Sequence, residues 1–469
     1  MCGAVQGGGH TKGLTENVMH SGERQGMLRQ PITTLTVLEG IAARARREPT
    51  GKFVNLMYLL SEEFLAACFL ELRKRAAPGV DGETWASYAA ELPQHLARLV
   101  NWLKRGQYWS QPVRRVYIPK DEHSVRPLGI PTIGDKLLQL AMAKILAAIF
   151  EGDFLPVSYG YRPGRDAHQA LRAMETCLFT CPMTTVIDAD IKGFFDSVDH
   201  ANLMICLQQR VADRKFLRLI ERFLKAGVIE EGVYQDTEQG TPQGGILSPI
   251  LSNIFLHYVL DRWFTDQVRS RLAGEAALFR YADDFVICTQ YPNEACWLLQ
   301  AIRERFTRCG LAVSEEKTRL LSFGRYAWQQ WRAGGTKPGT FDFLGFTHFV
   351  GISRKGKYKV GRATSRKKFR KSLRSLKEWL QGVRNLPMAD WWAQLAAKVR
   401  GHFQYYGVSG NSPALTRYAQ CVRRLVCQAL ARRSQHAPGL WIWFNRYLKR
   451  FPLPPPKIIH RWYAVTFVR

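Results

Sequence analysis

The sequence predicts an α+β fold in two parts, and three observations carry that reading. Long stretches with helical spacing are interrupted by a few short apolar strands, so neither class alone accounts for the chain. Two of those strands carry Asp where an apolar residue is expected: TTVIDADIKGFF (184–195) and FRYADDFVIC (279–288). The charge also changes abruptly near Gly351. From there to Arg469 stand 26 Lys and Arg against 2 Asp and Glu, whereas the preceding 350 residues hold 41 against 37. A near-neutral body that does chemistry and a basic appendage that grips a polyanion follow from this asymmetry. With 469 residues, 46% of them hydrophobic, the chain is long enough for a large core and two or three domains.

The elements follow in order. Residues 1–27 are Gly-rich and polar with no apolar period, and are expected to be a flexible extension, with Met27 as an alternative start. Helical spacing dominates from about Thr34 to Arg75, until APGVDG (77–82) breaks it. Leu92–Arg105 is helical again. VRRVYIPK (113–120) alternates as a strand, and DEHSVRPLGIP turns it back. Residues 134–150 form a long apolar helix. After the first Asp-bearing strand come two helices, HANLMICLQQRV and RKFLRLIERFLKAG. The glycine-rich loop GTPQGG (240–245) then leads into a helix, ILSPILSNIFLHYVLDRWF. FRYADDFVIC is a strand–turn–strand, NEACWLLQAIRERFTRCG a helix, and FDFLGFTHFV (341–350) a strand. Beyond it the basic quarter reads as helices. No period of 20–50 residues repeats, which excludes a solenoid.

Several function classes fall away. Ten cysteines are scattered with no CxxC pair, which argues against a zinc module and for reduced thiols in the cytoplasm. The most apolar run, LQLAMAKILAAIF (138–150), is too short to cross a bilayer and carries Lys144.

The paired carboxylates Asp283 and Asp284 raise the chemical question. Buried charge is costly unless it is paired or bound to metal. Asp is short and hard, as Mg²⁺ prefers, and two such ions about 4 Å apart can clamp both oxygens of a phosphoryl transfer. A surface turn is the plain alternative, since Asp is common in turns. DADIKGFFD supplies further carboxylates. Asp188 and Asp190 share one face of a strand, with Asp190 at its end, and Asp196 and Asp199 stand where they can cap the next helix. Lys120 and Arg126 flank a turn that can present both to one phosphate chain, although loop charges are often merely solvated. GTPQGG offers a close backbone and one amide, Gln243, or is a linker.

Eight blocks occur in a fixed order: APGVDG, VRRVYIPK…VRPLGIP, SYGYRPGRDAHQA (158–170), DADIKGFFDSVDH, GTPQGGILSPILSNIFL, FRYADDFVIC, LAVSEEKTRL (311–320) and FDFLGF (341–346). The set resembles the reverse transcriptases encoded by bacterial group II introns, the intron maturases, over roughly residues 50–410. The resemblance implies a right-hand polymerase, with fingers and palm over 28–350 and an all-α thumb, or domain X, over 351–469. It implies metal ligation of two Mg²⁺ ions by Asp190 with Ile191 beside it, Asp283 and Asp284, and attack of a primer 3′-OH on a dNTP. It places Lys120 and Arg126 on the triphosphate, Gln243 in the nucleotide pocket and Phe195 beneath the sugar, where it would clash with a 2′-OH. Lys317 of the EKT block is matched to the dNTP site, as a proton donor to pyrophosphate or a structural ion pair.

Arg162 and Arg165 are expected to track template or order the fingers. Arg366, Lys367, Lys368, Arg370, Lys371 and Arg374 are expected to hold phosphates of the primer–template and intron RNA. The aromatic runs HFQYYG (402–407) and WIWFNRYLKRF (441–451) read as helical core or as base-stacking surface. The expected location is the bacterial cytoplasm, at the nucleoid when acting on DNA. A C-terminal endonuclease with Cys pairs, found in many members, has no counterpart in PLPPPKIIHRWYAVTFVR. A domesticated reverse transcriptase in defence or repair, a splicing-only maturase and an RNA-copying RNA polymerase are the rival functions. Intact Asp190, Asp283 and Asp284 weigh against the second, Phe195 against the third.

Overall fold

A computed structural model describes residues 32–119, 125–230, 233–236, 240, 244–353, 355–432 and 440–462. The expected N-terminal extension with Met27, and the dNTP candidates Lys120 and Gln243, lie outside the described residues.

The helical stretch expected over 34–75 is divided into Ile32–Arg47 and Glu62–Glu71. The break falls at Pro49 and Gly51, which do not continue a helix. The Leu92–Arg105 helix is as expected. The Ile133–Phe150 helix runs through the largest core, and Leu137, Leu138, Ala141, Met142, Ile145, Leu146, Ile149 and Phe150 are all buried. A helix apolar on nearly every side belongs inside a protein of this size or in a bilayer. Among the described residues no helix is long and apolar enough to cross a membrane.

Eleven strands are described: β1 (Val113–Pro119), β2 (Val125–Ile130), β3 (Thr185–Asp190), β4 (Val228–Glu230), β5 (Val233–Gln235), β6 (Ala276–Tyr281), β7 (Asp284–Thr289), β8 (Arg319–Ser322), β9 (Thr340–Phe343), β10 (Phe346–Ile352) and β11 (Tyr358–Thr364). They form three sheets, ordered β2-β1-β4-β5, β6-β7-β3-β8 and β11-β10-β9. The second is antiparallel throughout and places β7 and β3 between two edge strands. The strand expected at 341–350 is in fact a hairpin. Leu344 and Gly345 between β9 and β10 have φ of 49° and 82°, the left-handed pair that a two-residue hairpin turn demands.

The change of charge at Gly351 falls inside β10, and β11 follows, so the first part of the basic quarter is sheet. YKVGRAT pairs along its whole length with β10. Helix begins only at Arg366. Arg366–Val383, Met388–Tyr406, Ser412–Ala431 and Leu440–Arg450 then gather around a core of their own, which includes Leu376, Trp391, Leu395, Phe403, Tyr418, Val426 and Phe444.

Candidate active site

The catalytic candidates come together at the ends of β3 and β7. In the antiparallel pairing Asp190 stands directly opposite Asp284, and Asp188 opposite Val286. Residues opposite each other in a sheet point to the same face, so Asp188, Asp190 and Asp284 share one side. Tyr281 and Asp284 close the β6–β7 hairpin, leaving Ala282 and Asp283 as its two turn residues, with Ala282 at φ 58°. The segment Ser158–Tyr161 packs on this turn. A side chain added to Gly160 would lie 2.4 Å from the Ala282 backbone nitrogen, so only glycine fits there.

Charge in the site is unbalanced. Lys317 pairs with Asp190, and Arg319 lies 3.4 Å from the carboxylate of Asp188. Among the described residues no cation makes an ion pair with Asp283 or Asp284. Burial, followed by the charges of Asp188, Asp283 and Asp190, pushes the Asp284 carboxyl up to about 7. Burial and then the charge of Asp190 raise Asp283, against the pull of Arg126 and Lys317. Burial pushes Asp188 up to about 6, with Arg319 opposing it.

This donor set fits a hard divalent cation: short carboxylates, crowded, partly desolvated and short of positive charge. No three His, Cys, Asp or Glu side chains of the described residues already converge on one metal position. Asp190 is held instead by Lys317, so a cation shared by all three would require that ion pair to open.

The raised carboxyl of Asp284 has a consequence for stability. Folded Asp284 binds its proton more tightly than the unfolded chain does, so it lowers stability as pH climbs from about 4 through 7. Asp284→Asn is therefore expected to stabilise the metal-free chain by ~1–3 kcal/mol at pH 8 and very little near pH 4. Thermal melting in EDTA at both pH values checks this.

The other candidates are placed as follows. Arg126 is exposed on β2, and its charge reaches Asp283 and Tyr161. Phe195 is half-buried, with its ring edge-on to Phe194 at 5.3 Å. The backbone of Ile191 bridges to Val313 just beyond β3, and its side chain is buried. Arg165 lies over the ring of Tyr159 at 5.3 Å.

Arg162 departs from expectation as a nucleic-acid contact. Its guanidinium is buried, pairs with Glu151 at 2.8 Å and donates to the carbonyls of Leu155 and Ser158. It is used up in ordering the loop that carries Gly160. Arg366, Lys367, Lys368, Arg370, Lys371 and Arg374 are all exposed on one helix. Of the aromatic runs, His402 and Phe403 are core, whereas Trp441, Ile442 and Trp443 are exposed beside buried Phe444.

Sequence reasoning missed several neighbours of the site. Tyr161, at φ 55°, keeps a largely exposed side chain beside Asp283. Tyr405 donates to the carbonyl of Leu344 at 2.8 Å, and Ser365, just before the basic helix, donates its N–H to Gly345 at 2.9 Å. The start of that helix is thus tethered to the β9–β10 turn, whose residue Leu344 lies against Asp284. Arg280 and Asp261 form a fully buried pair behind the Ala282–Asp283 turn. A lone Arg in an apolar strand and a lone Asp in an apolar helix were the available signals.

Two neighbouring strands thus bring carboxylates together at one end of a sheet, and comparisons with known proteins give the class. Residues 118–348 match the family described as reverse transcriptase (RNA-dependent DNA polymerase). Protein YkfC of Escherichia coli K12 is 36% identical over 296 residues, covering 56% of this chain and 77% of YkfC. The group II intron-encoded protein LtrA of Lactococcus lactis subsp. cremoris is 38% identical over 229 residues, covering 48% of this chain and 37% of LtrA. An uncharacterized 91 kDa protein in the cob intron of Schizosaccharomyces pombe is 41% identical over 229 residues, covering 48% of this chain and 28% of that protein. The chain spans little more than a third of LtrA's length. It belongs to the reverse transcriptase family, the RNA-directed DNA polymerases, and within it to the group II intron reverse transcriptases and maturases.

Proposed function

We propose that this chain copies RNA into DNA from a primer 3′-OH and dNTPs, and that it also assists the splicing and mobility of a group II intron RNA. The observation that carries the reading is the register that sets Asp190 opposite Asp284 with Asp283 in the adjoining turn, a carboxylate set short of cations. In this reading residues 28–350 are fingers and palm, and residues 351–469 are thumb and domain X.

Asp190, Asp283 and Asp284 would hold two Mg²⁺ ions, with Ile191 contributing its backbone at the end of β3. When bound, such ions activate the primer hydroxyl and neutralise charge on the phosphate it attacks and on departing pyrophosphate. The chain's own residues do the rest. Arg126 and Lys120 hold the triphosphate; Gln243 lines the nucleotide pocket. Lys317 releases Asp190 and turns its ammonium toward the pyrophosphate. Arg366, Lys367, Lys368, Arg370, Lys371 and Arg374 grip phosphates. Three of these cations occupy the first turn of their helix, where they oppose the helix dipole. A polyanion laid across that turn removes the conflict, and this supports a nucleic-acid rather than a solvated face. Arg165, on the loop that packs against the catalytic turn, contacts template.

Phe195 supports the choice of sugar. Its partly buried ring follows Asp190 by one short turn, near the reacting nucleotide. Phe195→Ala is expected to raise the use of rNTP relative to dNTP by on the order of 10–100-fold, read as the ratio of kcat/KM values. The test of the whole reading is primer extension on an RNA template with dNTPs and Mg²⁺. Tight, salt-sensitive RNA binding without any synthesis would leave a splicing cofactor instead.

A further inference from the structure

The catalytic turn is held from behind by an ion pair that has no contact with solvent. Arg280, the residue before Tyr281 at the end of β6, and Asp261 both have side chains that are 0% exposed. Arg280 Nε donates to Asp261 Oδ1 at 2.7 Å and Nη2 to Asp261 Oδ2 at 2.5 Å. The remaining arms go to the turn and to what packs on it. Nη1 donates to the Ala282 carbonyl at 2.9 Å and to Asn253 Oδ1 at 3.1 Å, and Nη2 to Ser158 Oγ at 2.7 Å. Asn253 in turn donates to the Gly160 carbonyl at 2.7 Å, and Gly160 is the residue pressed against the Ala282 nitrogen. One guanidinium therefore fixes Ala282 directly and, through Ser158 and Asn253, the segment that backs it. Asp261 ends a π-helical stretch, His257–Asp261, and the local register change is of the kind often found beside functional sites.

We propose that Arg280 and Asp261 are a positioning pair for polymerisation: they hold the Ala282 carbonyl, and so set where Asp283 points, without touching substrate. A buried ion pair is a poor device for stability, because desolvation cancels most of its attraction and well-packed apolar residues serve as well. It is a good device for geometry, because a planar fork with fixed donors dictates the place of each acceptor. Ala282 needs such dictation, since its left-handed φ is disfavoured for any residue with a Cβ. The inference rests on the reading of Asp283 as a metal ligand.

The experiment compares the full-length double variant Arg280→Met/Asp261→Leu with wild type. Both charges leave together, so no unpaired charge stays buried. Melting temperature and primer–template affinity are expected to stay near wild type. In single-nucleotide incorporation, kcat is expected to fall about 100-fold with KM for dNTP within about twofold, the signature of a misplaced group. Mn²⁺ binding, followed by electron paramagnetic resonance on the complex with a dideoxy-terminated primer and dNTP, is expected to weaken about 10-fold. Wild-type kcat and Mn²⁺ affinity in the double variant would overturn the proposal. Should that variant melt early, Arg280→Lys decides: it keeps the charge and loses the fork, and wild-type kcat there overturns the proposal as well. Asp283→Ala serves as the reference. If it binds Mn²⁺ as wild type does, the metal reading itself fails, whatever Arg280 does.

Discussion

Asp283→Ala is expected to lower DNA synthesis on an RNA template by on the order of 10³-fold or more, about 4 kcal/mol of lost transition-state stabilisation. The same variant is expected to bind RNA within about twofold of wild type, since phosphate contacts set that affinity. The separation follows from the architecture. Asp283 lies in a two-residue turn of the sheet β6-β7-β3-β8, whereas the exposed cations lie on a helix with a different core. Among the described residues no cation makes an ion pair with Asp283, and Arg126 and Lys317 act on it only as neighbouring charges, so removing it does not leave a stranded positive partner. Primer extension and filter binding on one preparation measure both quantities. If intron splicing assisted by the chain survives in Asp283→Ala, grip and chemistry are separable functions.

Removing charge from the Arg366–Val383 helix is expected to do the reverse. The triple variant Arg366→Ala/Lys367→Ala/Arg370→Ala deletes three exposed cations from the Arg366–Val383 helix, whose buried residues Leu376 and Leu380 lie further along. Each phosphate contact contributes about 0.7–0.9 to the slope of log affinity against log salt. The slope is therefore expected to fall by about 2–3, and affinity at physiological salt by roughly 10–100-fold. At saturating primer–template, kcat is expected to stay close to wild type. Filter binding across a salt series, with melting temperature as the control, checks it. An unchanged slope would remove this helix from the nucleic-acid surface.

Much of the site was legible in the sequence because its signals are local. Carboxylates inside apolar strands stand out against a two-residue period, and a one-residue offset fixes which of them share a face. The helices at 92–105 and near 133–150 were equally plain. What escaped was set by tertiary contact. Arg162 carries the same charge as Arg165 and sits three residues away, yet it is folded inward onto Glu151 while Arg165 is not. Nothing in SYGYRPGR distinguishes them. The hairpin in FDFLGF looks like one strand in the sequence because Leu at a left-handed position is a rare choice, and only the Gly beside it hints at a turn. The sheet that extends into the basic quarter was hidden by composition, since YKVGRAT looks like more of the charged tail until β10 is beside it. The Arg280–Asp261 pair joins residues 19 apart through a helix, a loop and a strand, beyond the reach of any periodicity.

The pairing of Asp190 with Asp284 also limits how this protein can change over time. Point substitutions in β3 or β7 alter one side chain, and many apolar exchanges would leave the carboxylates where they are. Insertion or deletion of a single codon within either strand is another matter. It shifts the alternation by one, turns a carboxylate from the acidic face to the opposite one, and does so on interior strands paired on both sides. A one-codon change of length is thus expected to be tolerated in loops and not within β3 or β7, where the spacing to each Asp matters as much as the acidic residue itself.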